Sequence, residues 1–173
     1  GFPNMRVLEF GFEPSEPLSP HMPYRYNTNC VVYTGTHDNE TLKGWYDKLD
    51  KKKVAYIEKY LQNACGRQDT VYWDIIRLAM MSSANLCVIP MQDYLMLGNE
   101  ARMNHPSTLG NNWKWRMGSE DMDEELIARI RELTVNAFRL IEDEDPDEEE
   151  ELLEAGEEEE STVEEKADQP ENI

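Results

Sequence analysis

The residues best suited to chemistry lie in Tyr33-Thr34-Gly35-Thr36-His37-Asp38-Asn39. Here an apolar, strand-like run ends on a His-Asp pair. Parallel α/β folds collect ligands and catalytic groups at the C-terminal ends of their strands. An aspartate in that position holds hydroxyl groups through charged hydrogen bonds, and it stabilises positive charge developing on a reacting carbon. The neighbouring imidazole donates to a ligand oxygen. The dipeptide has a second reading, as a helix N-cap aspartate beside a satisfied histidine. On these residues alone both readings stand. His37, Asp38 and Glu40 are also close in sequence, but the HxxxH or HxH spacing of zinc sites is absent. Neither a metal nor a cofactor is expected.

The elements that would position this pair follow from hydrophobic patterning. Met5–Phe12 is an apolar run suited to a buried strand. Four prolines within 14–23 make residues 13–29 a long loop, and loops of that length in compact domains are usually functional. Cys30–Thr36 is β-branched and aromatic without polar alternation, the pattern of a strand covered on both faces. A helical stretch spans about 41–49, and Asp50 is placed to cap the next helix. In that helix Val54, Ile57 and Leu61 recur at helical spacing, and Gly66 is its stop. Residues 70–84 read as a buried helix, 85–90 as a third strand, and 92–97 as a helical turn. Gln92 and Asp93 stand just past that strand, suited to a site or to capping of the short helix. Asn99–Met117 is a polar loop. Its Trp113 and Trp115 suit stacking on a ligand's ring or, at alternate positions in a strand-like stretch, the commoner role of packing, and Trp45 reads as core. Asp121 and Glu124 fit a capping box for a last helix, whose stripe is Leu126, Ile127, Ile130, Leu133, Ala137, Phe138 and Ile141. Strands alternating with helices imply an α/β fold with a parallel sheet.

Charge divides the chain in two. Of the net charge of -19, residues 142–173 carry 18 acids and one lysine, leaving 1–141 with 18 acids and 16 bases. The body is nearly neutral, and 142–173 reads as a disordered acidic tail. Polyanionic character repels nucleic acid and anionic membranes, so neither is an expected partner. No apolar run approaches the ~20 residues of a membrane helix, and no secretory signal pattern is present. Three widely spaced cysteines, Cys30, Cys65 and Cys87, form no CxxC pair. Reduced thiols are expected, with Cys30 and Cys87 as packing residues in a cytoplasmic protein.

Three blocks carry a resemblance. GFPNMRVLEFGF, VVYTGTHDNETLKGWY and IPMQDYLMLGNEARMNHPSTLGNNWKWRM resemble, in order and at comparable spacing, segments of the 4-α-glucanotransferases (amylomaltase or disproportionating enzymes). The resemblance covers about residues 1–140 and leaves 142–173 unmatched. It implies that 1–141 is the C-terminal portion, about three βα units, of a TIM (β/α)8 barrel of the α-amylase clan. It implies transfer of α-1,4-glucan segments to an acceptor 4-hydroxyl by a retaining double displacement. Asp38 aligns with the family's third, transition-state-stabilising carboxylate, His37 with a substrate-binding histidine, and Asn104 with an asparagine that reaches the glucan. The nucleophile and acid/base lie in the family upstream of the first block, and no segment here matches either. The expected partners are an α-1,4-glucan or maltooligosaccharide and the missing N-terminal part of the barrel. Family loops near His21 and Tyr24 border the cleft, and His105 is expected to be exposed. The competing expectations are a non-catalytic interaction protein using the acidic tail, or a weak glucan-binding remnant.

Overall fold

The computed structural model describes residues 1–140. Ile141 and the acidic segment 142–173 lie outside the described residues, so the expected disorder of that segment is not addressed. Within the compact unit Gly1–Arg139, three strands, β1 (Asn4–Val7), β2 (Cys30–Tyr33) and β3 (Leu86–Val88), form one sheet in the order β1-β2-β3. Both pairings are parallel, with Met5 opposite Val31 and Val31 opposite Leu86. The strands are shorter than the apolar runs suggest. Leu8–Phe10 turns into a 3-10 helix, although the Glu9 N–H still reaches the Thr34 carbonyl at 3.2 Å. Apolarity continues past the last ladder bond because Leu8 and Phe12 remain buried after the backbone has turned, although Phe10 between them is exposed.

The helices form where their caps lie. α1 (Leu42–Tyr46) begins at Thr41, whose hydroxyl accepts from the Gly44 N–H at 3.1 Å. α2 (Lys51–Ala64) begins at Asp50, which accepts from the amides of Lys52 and Lys53. Its chain exit passes through Gly66 at φ +68°, a left-handed conformation that glycine adopts without steric cost. α3 (Val71–Met80) is capped by Thr70, and α4 (Met91–Tyr94) is a single turn. α5 (Glu124–Asn136) starts two residues later than the capping-box reading places it. Asp123 caps it by accepting from the Leu126 N–H at 2.8 Å. Asp121 is instead occupied with the Gly118 N–H in a preceding 3-10 turn.

One core joins the helices to one face of the sheet. It contains Cys30 and Val32 from β2, Ile57 and Leu61 from α2, and Ile75 and Ile76 from α3. Removing such side chains from water is the main favourable contribution to folding. α5 contributes Leu126, Ile130 and Leu133 to this packing, joined by Ala137 just past its end, whereas Ile127 and Phe138 are exposed. The apolar stripe is therefore narrower than the sequence suggests. Arg139 closes the unit by donating to the carbonyls of Met80, Ser82 and Ala84 at 2.6–2.9 Å.

The opposite face of the sheet corrects the expectation that β2 is covered on both sides. Side chains alternate across a strand, and Met5, Leu86 and Val88 on this face are 57%, 54% and 39% exposed. An unbroken apolar run indicates what both faces favour, not what this stretch of chain supplies to cover them. Among the described residues, no helix is long and apolar enough to cross a membrane. The three cysteines are free, with Cys30 buried and Cys65 and Cys87 partly buried.

Candidate active site

A tight polar turn at the C-terminal end of β2 presents Asp38. Asn39 Oδ1 accepts from both the Thr36 amide (2.9 Å) and the Thr36 hydroxyl (2.7 Å), while the Asn39 amide returns to the Thr36 carbonyl at 3.0 Å. Such side-chain to backbone bonds stand in for the ladder that β2 has just left. Gly35 suits the approach, since a Cβ there would lie 2.8 Å from Glu9 Oε1. The helix-cap reading of Asp38 fails: α1 is capped by Thr41. The Asp38 side chain is about half exposed and points at its neighbours across the loops.

Those neighbours are the residues singled out by sequence. His37 Nε2 lies 3.2 Å from Asp38 Oδ1. Asn104 Nδ2 donates to the same oxygen at 2.6 Å, and the Asn104 amide donates to the His37 carbonyl at 3.1 Å. His37, Asp38 and Asn104 thus converge from two loops separated by over sixty residues. Arg102, which sequence reasoning did not single out, binds both loops. It donates to the Asp38 carbonyl through Nη2 at 2.7 Å and to the Asn104 carbonyl through Nε at 2.8 Å. The planar guanidinium fork suits such a two-point hold.

Beneath the turn lies a layer of buried polar groups. Asp93 accepts from the Thr34 hydroxyl at 2.5 Å and from the Leu42 amide at 2.8 Å, which ties the end of β2 to the first turn of α1. Burial pushes its carboxyl up to about 6, against the two hydrogen bonds that favour the charged form. Gln92 is buried and donates to the Ala101 carbonyl at 3.3 Å. Both residues therefore support the site from below rather than capping α4. Glu9 is buried as well, and its Oε1 has no hydrogen-bond partner. Burial, then the charges of Asp93 and Glu40, push its carboxyl up to about 9, opposed by Arg102. A single acid inside the apolar run VLEFGF was the available signal for it. Arg102 gave no signal beyond its place two residues before Asn104.

The remaining candidates fall elsewhere. His21 Nδ1 accepts from the Val7 amide at 3.0 Å, and the Tyr24 hydroxyl donates to the Pro17 carbonyl, so neither is bonded to His37, Asp38 or Asn104. Trp45 packs against the core beside Phe12, and His105 is exposed. Trp113 contradicts its reading as a packing residue in a strand. It sits in a loop with its backbone at φ +63°, it is 51% exposed, and its ring lies 5.0 Å from that of His37. Among the described residues no group of three or more His, Cys, Asp or Glu side chains is arranged to hold a metal ion.

An open cavity of about 420 Å³ runs from Met5, Tyr33 and Val88 on the open face of the sheet to His37 and Asp38. A half-exposed carboxylate at the rim of such a cavity is free to accept ligand hydroxyls, and Asn104 and His37 fix its orientation. A model of the 4-alpha-glucanotransferase family matches residues 1–121. The chain belongs to that family. Over 138 residues it is 41% identical to the 4-alpha-glucanotransferase of Clostridium butyricum, covering 78% of this chain and 27% of that protein. A chloroplastic/amyloplastic 4-alpha-glucanotransferase of Arabidopsis thaliana is 43% identical over 77% of this chain and 23% of its own length. The solved amylomaltase of Streptococcus agalactiae, in complex with acarbose, superimposes with a TM-score of 0.73 at 35% identity. That match covers 80% of this chain and 28% of the amylomaltase. The chain spans about a quarter of the length of the curated relatives it matches. The structure shares with that amylomaltase an α/β architecture built on a parallel sheet.

Proposed function

We propose that residues 1–141 form the last three βα units of a (β/α)8 barrel, and that they supply one of three carboxylates to a 4-α-glucanotransferase site. The reaction cleaves an α-1,4 glucan with retention and passes the glucosyl segment to the 4-hydroxyl of an acceptor. It needs a carboxylate nucleophile and an acid/base about 5–5.5 Å apart. In this reading both come from upstream strands. Asp38 binds the sugar at the reacting ring and stabilises the oxocarbenium-like transition state, because a fixed negative charge there is worth most where positive charge develops. His37 and Asn104 donate to sugar oxygens and hold the Asp38 carboxylate in place. No cofactor or metal enters the reaction.

The observation that carries this reading is the cavity joining the open sheet face to Asp38. In a closed barrel, side chains from the remaining strands would fill the space over Met5, Leu86 and Val88. β1 and β3 also stand at the two edges of the sheet, where further strands would pair. Without the nucleophile no glycosyl-enzyme forms, so residues 1–173 alone do not turn over. The natural setting is a reducing compartment such as the cytoplasm, with a maltooligosaccharide or longer α-1,4 glucan as substrate.

Disproportionation of maltotriose tests this. The assay is run with this chain alone and with the upstream three quarters of a relative co-expressed. Glucose and maltopentaose are expected only from the combined sample. Turnover by the chain alone would overturn the reading.

A further inference from the structure

Trp113 is held in an unfavourable state that the fold does not explain. A bulky residue at positive φ is a steric outlier, and such strain persists only where the surroundings impose it. Here both sides of the peptide are tied. The Trp113 amide donates to the Met103 carbonyl at 2.6 Å, and its carbonyl accepts from Arg116 Nη1 at 3.0 Å. Arg116 Nη1 also reaches the Trp115 carbonyl at 2.7 Å, so the loop is clasped through one guanidinium. The result is an indole with half its surface open to water, an arrangement that costs hydrophobic free energy and has no partner in the core.

What the strain accomplishes is a placement. The indole stands 5.0 Å from the His37 ring, tilted by 37°, and His37 is 3.2 Å from the Asp38 carboxylate. The Trp113 clasp lands on Met103, which lies between the two residues that hold Asp38, Arg102 and Asn104. The aromatic face and the carboxylate are therefore fixed to one loop frame. A pyranose ring has an apolar face of C–H groups and a rim of hydroxyls. It matches an aromatic face beside a carboxylate, because the flat surface takes the C–H face while the charged and imidazole groups take the rim.

Resting on the glucanotransferase reading of the site, we propose that Trp113 is a substrate-binding residue. Its indole forms, with His37, a stacking shelf for a glucosyl ring of the α-1,4 glucan bound next to Asp38. The strained, doubly tied backbone pre-orders the shelf, so that binding does not have to immobilise it.

The test is a titration of the unaltered chain with maltoheptaose, followed in an amide correlation NMR spectrum. The chain has four tryptophans, and the Trp113 indole N–H signal is assigned by its loss in Trp113→Phe. Single Phe replacements of Trp45, Trp73 and Trp115 assign it by elimination if Trp113→Phe does not fold. The Trp113 indole signal is expected to shift with sugar while that of the buried Trp73 stays still. Trp113→Ala is expected to weaken binding about tenfold, the order of an aromatic contact, with the remaining backbone signals in place. Shifts at the His37, Asp38 and Asn104 amides without one at the Trp113 indole would overturn the shelf and leave the glucanotransferase reading intact. No shift anywhere would count against both. A Trp113 signal that becomes insensitive to sugar once the upstream segment is co-expressed would show that polypeptide covers the indole, and would also overturn the shelf.

Discussion

Replacing Glu9 with Gln should change how stability depends on pH more than it changes the shape of the fold. The carboxyl is buried, its Oε1 lacks a partner, and its pKa is pushed from 4.5 to about 9. At pH 7 it is therefore protonated in the folded chain and ionised in the unfolded one. The unfolded state then binds fewer protons, so stability falls as pH rises between about 4.5 and 9. Each pH unit in that window costs about 1.4 kcal/mol. Two neighbours also titrate. Asp93, raised to about 6, contributes a fall of the same sign below pH 6. His21, lowered by burial and then by Arg6, contributes a rise that ends near its ordinary 6.5. The interval from pH 6.5 to 8.5 thus isolates Glu9, and across it the unaltered chain should lose about 2.7 kcal/mol relative to Glu9→Gln. Urea unfolding of both chains at the two pH values measures the gap. A carboxyl ¹³C titration of Glu9 locates its protonation independently. A gap that does not widen, or a Glu9 carboxyl that titrates near 4.5, would show that the folded chain does not hold Glu9 protonated at neutral pH.

Two further outcomes follow from the layer around Asp38. Asp93→Ala should lower stability by about 2–3 kcal/mol, because it strands the buried Thr34 hydroxyl and Leu42 amide without an acceptor; urea unfolding at pH 7 checks it. Arg102→Met should leave the fold intact but free the Asp38 and Asn104 carbonyls. In a complemented enzyme, kcat should then fall roughly tenfold, on the scale of one lost charged hydrogen bond, and Arg102→Lys should recover little because an ammonium lacks the guanidinium fork.

The parts of this structure written in local chemistry were legible in the sequence. Asp50 caps α2, Thr41 stands at the start of α1, and Gly66 follows α2. Each acts through bonds or dihedrals within a few residues of itself. The strand-end pattern singled out His37 and Asp38 and the resemblance added Asn104; the structure brings the three together, although no spacing rule joins Asp38 to a residue in a loop more than sixty positions on. What was illegible depends on tertiary placement. Asp121 and Asp123 are equally good caps by type, and the 3-10 turn at Ser119–Asp121 decides between them. Trp113 reads as packing by its alternation with Trp115, and only the structure shows its exposed indole and left-handed backbone. The open sheet face was hidden because apolar residues await partners in the same way whether or not the chain itself supplies them.

In the proposed site, Asp38 stabilises the transition state of a reaction whose other carboxylates come from upstream strands. Asp38→Asn in the complemented enzyme tests it most directly, because the amide keeps the size of the side chain and removes its charge. The expected fall in kcat for maltotriose disproportionation is about 10²–10³, the scale of one lost electrostatic contact to the transition state. A variant that turns over at the unaltered rate would contradict it.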